Sequence, residues 1–94
     1  MKSHIWMSPR SGSICARLLA MQAEAMVPSR FRRLLMGEAE LKRRRDEVRS
    51  LSGVVASLRD SLKGTPWAED GIEARSRCAK AHRSLTAIIS RRGA

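Results

Sequence analysis

Cys78 and His82 stand four residues apart, a spacing that on a helix sets a thiol and an imidazole on the same face. Two chemistries use such a pair: a thiolate activated by a neighbouring base, or half of a zinc site. A thiol nucleophile also needs an orienting acid and oxyanion donors, and the spacing around Cys78 suggests neither. A structural zinc ion needs four ligands, and the other soft donors, Cys15 and His4, lie on unrelated segments. Cys78 therefore reads as a small apolar residue in a helix seam, with His82 at its edge. The paired acids Asp46-Glu47 and Glu69-Asp70 are sequence neighbours, which on a helix point apart and read as solvated surface. Phosphate-binding glycine loops, C-x-x-C and H-E-x-x-H patterns are missing. The expectation is a chain with no catalytic residues, no metal and no cofactor.

Positive charge is the more informative chemistry. The 94 residues carry 19 Lys and Arg against 9 Asp and Glu, a net +10, with a pI near 11.4. Such a chain favours an anionic partner: nucleic acid, an anionic membrane surface or an acidic protein face. The cations cluster at Arg30-Phe31-Arg32-Arg33, at Lys42-Arg43-Arg44-Arg45 and at Arg91-Arg92. Arg32, Arg33, Lys42, Arg43, Arg45, Arg91 and Arg92 form the candidate anion-binding set. Aromatic residues are nearly absent (Trp6, Phe31, Trp67), which argues against base stacking and leaves backbone contact as the nucleic-acid mode. The excess is uneven. Residues 1–35 hold six cations and one acid, whereas residues 36–64 hold seven and five.

Four consecutive cations wrap around a helix, so Arg44 must fall on or near any apolar seam, either facing an acidic partner or reaching out of it. That seam is the strongest pattern in the chain. Leu34, Leu41, Val48, Val55 and Leu62 recur every seven residues, with Leu51 and Leu58 at the intermediate position of the last two heptads. The pattern predicts a helix over 30–63 that packs in coiled-coil fashion. Gly37 and Arg44 weaken the first half of its seam, and Gly53 costs about 1 kcal/mol relative to alanine. Gly64-Thr65-Pro66 ends this helix. A third helix over 66–92 follows, with Asp70-Gly71-Ile72-Glu73 as a second start signal of capping-box form. Its stripe is Ala74, Cys78, Ala81, Leu85 and Ile88. Ser13 is the expected cap of a first helix over 13–27, stopped by Pro28, with Ile14, Leu18, Met21 and Ala25 as its apolar face.

The fold expected is all-α: an antiparallel helical hairpin, coiled-coil-like, preceded by a short first helix. Residues 1–12 form a mobile basic arm, and 13–94 a single small helical domain. Two helices do not enclose a core, so self-association or docking into a larger assembly is expected. The function expected is a non-enzymatic helical-hairpin interaction module, an accessory subunit or chaperone-like partner. Phe31, Leu34, Leu35, Leu41 and Trp67 are its candidate partner-binding residues. The alternative is a nucleic-acid backbone binder, as in a ribonucleoprotein. No stretch has the roughly 20 apolar residues of a transmembrane helix. Two unpatterned cysteines make an intracellular, cytoplasmic setting the default. The acid-free stretch from Met1 to Ala23, with Lys2, Arg10, Arg17 and several serines, has transit-peptide composition and makes the mitochondrion the alternative.

Overall fold

The computed structural model describes residues 8–93, which form four helices. They are α1 (Pro9–Ala25), α2 (Arg30–Leu35), α3 (Glu38–Ser61) and α4 (Ala68–Gly93). The fold is all-α, and α3 and α4 form the antiparallel hairpin. α1 also packs on both of its helices, running parallel to α4, so the hairpin is completed into a three-helix bundle with α2 outside it.

The seven-residue repeat holds within α3. Leu41, Val48, Val55 and Leu62 are buried, and Leu51 and Leu58 pack against them. The fifth member, Leu34, is 75% exposed because the expected helix over 30–63 is broken. Met36 is extended (φ −91°, ψ 137°) and Gly37 (φ −77°, ψ 164°) starts α3 afresh. Glycine is a poor interior helix residue, and Glu38 and Glu40 stabilise the positive end of a new helix rather than the middle of an old one. The break takes residues 30–35 out of register. Leu41, read as a docking residue, is instead fully buried in the core.

α1 starts earlier than expected. Ser8 caps it by accepting from Ser11 N–H at 3.2 Å, and Pro9 takes the first turn, where its missing N–H costs nothing. Residues 9–12 are therefore helical rather than part of an arm, while residues 1–7, with His4 and Trp6, lie outside the described residues. Ser13 is not a cap. It is buried, and its hydroxyl donates to Asp70 Oδ2 at 2.7 Å on α4, so Asp70 serves a tertiary bond. The face of α1 is also the opposite of the expected one. Ala16, Ala20 and Ala23 enter the core, while Ile14, Leu18 and Met21 stay 50–59% exposed.

Polar contacts hold that rotation. Ser13–Asp70 lies near one end of the α1–α4 interface, and near the other Arg77 donates two hydrogen bonds to Glu24, at 2.8 and 2.6 Å. Residues 13 and 24 are about three helical turns apart, so one face of α1 carries both clamps. Arg44 donates to the Met26 carbonyl at 3.1 Å and to Glu40 at 2.9 Å, tying the end of α1 to α3. The half of the seam that looked unpartnered is thus covered from within, and Arg44 at the edge of the core takes its acidic partner, Glu40, from its own helix.

At the hairpin tip Gly64 adopts φ +79°, the left-handed conformation that ends helices and favours glycine. Thr65 Oγ1 donates to the Leu62 carbonyl at 2.7 Å and accepts from Trp67 N–H at 3.2 Å, so α4 begins at Ala68. Trp67 is half-buried in this turn. Gly71 lies inside α4 for a steric reason: a Cβ there would stand 2.9 Å from Arg59 Cα and 3.2 Å from Leu62 Cδ1. α3 and α4 approach one another backbone to backbone at this point.

The two interior glycines should therefore respond in opposite ways to alanine. Gly53→Ala meets nothing within 4 Å and should raise stability by up to about 1 kcal/mol. Gly71→Ala must push α3 away and should lower it by about 1–3 kcal/mol. Urea melts of both variants beside the wild type check the pair; equal shifts of one sign would refute the close-approach account.

Candidate interaction surfaces

Cys78 is fully buried in the bundle core, and burial pushes its thiol pKa up. A thiol held in its neutral form is a poor nucleophile and metal ligand. Among the described residues no three His, Cys, Asp or Glu side chains converge as a metal site would require. His82 points elsewhere, lining a surface groove described below.

Local acids satisfy much of the candidate anion-binding set. Lys42 pairs with Glu38 at 3.1 Å, Arg43 with Glu40 at 2.7 Å and Glu47 at 3.5 Å, and Arg45 with Asp46 at 3.8 Å. The Lys42 and Arg43 pairs follow from helical spacing, since residues three or four apart are neighbours on the surface. Arg92 donates to the backbone carbonyls of Arg33 and Met36, fastening the α2–α3 junction to the end of α4. Arg32 and Arg91 are exposed and make no ion pair among the described residues; Arg33 is half-buried. The seven residues lie on three different helices, and the structure does not gather them into one anion site.

A different set of cations is brought together. A groove of about 410 Å³ runs between α3 and α4, with Arg49 and Ser52 on one wall and Arg75, His82 and Arg83 on the other. Its floor is made of Gly53, Ala56 and Ala79. None of Arg49, Arg75 and Arg83 pairs with a carboxylate among the described residues, and no acid lines the groove. The signal was present in the chain as positions 75, 79, 82 and 83 facing 49, 53 and 56, one face of each hairpin helix. The consecutive cation runs overshadowed it, because two arginines eight residues apart on one helix and a third on another do not read as a cluster until the two helices are laid side by side.

The candidate partner-binding residues divide as well. On α2, Phe31, Leu34 and Leu35 are 80%, 75% and 88% exposed, and α2 buries no residue. At 100° per residue these three fall within one arc, flanked by Arg30 on one side and Arg32 on the other. On α1, Ile14, Leu18 and Met21 form a second exposed apolar stripe beside Arg10 and Arg17. Trp67 is half-buried at the opposite structural feature, the hairpin tip, and Leu41 is in the core.

Ion pairing on this bundle makes its stability sensitive to acid. Hydrogen bonds from Arg43 and Arg44 hold the Glu40 pKa down at about 2, against an ordinary value of 4.5. The Arg77 hydrogen bonds likewise lower Glu24. No described helix is long and apolar enough to cross a membrane. Compared with protein-family models, curated proteins and solved structures, the chain matches none.

A carboxylate whose pKa falls on folding binds its proton more weakly in the native state, so its stabilising effect is complete above the unfolded pKa. For Glu40 that effect is lost as pH falls from about 4.5 through about 2. Stability measured by urea melts should decline across this window. Glu24→Gln and Glu40→Gln should each flatten the decline, Glu24→Gln by loosening α1 from α4. An unchanged slope in both would remove these pairs as its source.

Proposed function

We propose that the chain is a non-enzymatic interaction module that docks a partner protein through the apolar outer faces of α1 and α2. One observation carries this reading: the bundle closes its core with alanines from α1 and leaves six larger apolar side chains of α1 and α2 outside. These are Ile14, Leu18 and Met21 on one stripe and Phe31, Leu34 and Leu35 on one short helix. Single exposed apolar residues are ordinary on a protein surface, but aligned sets on consecutive helices mark a contact surface. α2 in particular adds nothing to the core, so folding alone does not account for its amphipathic sequence.

Charge narrows the partner. Arg10, Arg17, Arg30 and Arg32 border these faces and make no ion pair among the described residues, which suits an apolar patch with an acidic rim. A second copy of a +10 chain would bring the same cations to the contact, so an acidic partner is favoured over self-association.

Leu18→Asp with Leu35→Asp tests the reading, since both side chains point outward and neither belongs to the core. The double variant should melt like the wild type yet lose the proteins that the wild type retains in nuclease-treated native pull-downs. Retention of the same proteins by both, or release of everything by nuclease, would refute it.

A further inference from the structure

The groove between α3 and α4 is independent of the apolar docking faces, and its chemistry is different. We propose that it is a binding site for a chain of linked phosphates, held through Arg49, Arg75 and Arg83 with His82 between the last two. Guanidinium groups donate paired, charge-assisted hydrogen bonds that match phosphate oxygens. Elsewhere on the bundle Lys42, Arg43, Arg44, Arg45, Arg59, Lys63 and Arg77 each have a carboxylate within 4 Å. The three groove arginines have none, and no carboxylate stands on either wall to compete with a ligand. Three like charges placed around one cleft repel one another, and an anion between them removes that cost.

The dimensions select the ligand. Arg75 and Arg83 are eight residues apart, about 12 Å along α4. Positive charge spread over that length suits a ligand with several phosphates better than a single one. Gly53 and Ala56 leave the floor low: a Cβ added at Gly53 would meet nothing within 4 Å. A chain can therefore lie lengthwise between the walls. The walls carry no Phe, Tyr or Trp side chain, so the groove grips a backbone rather than offering a wide stacking platform to any base attached to it. The shared chemistry is a row of phosphate groups, joined by anhydride bonds in inorganic polyphosphate and through sugars in a single nucleic-acid strand.

Tripolyphosphate and a mixed-sequence single-stranded oligonucleotide are the two probes, titrated into the full chain by calorimetry at about 50 mM salt. Arg75→Gln with Arg83→Gln should weaken binding at least about tenfold, with a log–log salt slope shallower by about one for each phosphate contact removed. Ala56→Glu, which puts a carboxylate on the groove floor, should weaken it comparably. Lys80→Gln with Arg91→Gln removes the same charge from outside the groove and should leave affinity within about twofold; thermal melts confirm that every variant folds. Preference for one probe identifies the source of the phosphates, and either preference supports the site. Failure of both probes to bind, equal losses in the charge-matched control, or tighter binding of poly-glutamate than of either probe would overturn it.

Discussion

Only a thin helix face can close this bundle. α3 presents leucine and valine every seven residues, and α4 presents Ala74, Cys78 and Ala81 in the part of the hairpin nearest the tip. Side chains of that size let two backbones approach until Gly71 cannot carry even a methyl group. The space left along the hairpin takes Ala16, Ala20 and Ala23 of α1. A helix has one face per stripe, so seating the alanines turns Ile14, Leu18 and Met21 outward. Ser13–Asp70 and Glu24–Arg77 then hold α1 in this rotation. The exposed stripe follows from how the core is filled.

Charge is organised by the same geometry. A run such as Lys42 to Arg45 looks like a cationic patch, yet on α3 each of its members finds an acid within a turn or a neighbouring residue. Exposed pairs of this kind contribute little stability, but they do neutralise the surface that carries them. The arginines at 49, 75 and 83 have no carboxylate within 4 Å and line one α3–α4 groove. Local density of positive charge is therefore a poor guide to where this molecule leaves its cations unpaired.

The hairpin was legible because its signals are local and repeated. Four of the five heptad positions are buried, the Gly64-Thr65-Pro66 turn ends α3, and the stripe of α4 from Ala74 to Ile88 faces the core. The fifth position failed where two weak signals competed. Leu34 continued the repeat, while Gly37 followed by Glu38 and Glu40 marked a new helix start, and the start prevailed. Ser8-Pro9 was a stronger helix opening than Ser13, since it joins a capping hydroxyl to a proline at the first position. Of the surface candidates, Phe31, Leu34 and Leu35 are exposed as a docking role requires, and Leu41 is not.

By itself the sequence determined the class and the hairpin: the helical stretches of α3 and α4, the short turn that joins them, and which stripes of those two helices are apolar. Those properties depend on spacing along the chain, and spacing is visible in one dimension. The tertiary structure decided the rotation of α1, the buried place of Ser13 and Leu41, and the meeting of Arg49, Arg75 and Arg83. Each depends on the distance between helices, which the small residues of α4 set and no single helix encodes. A face becomes core or surface only when a neighbour of the right depth is laid against it.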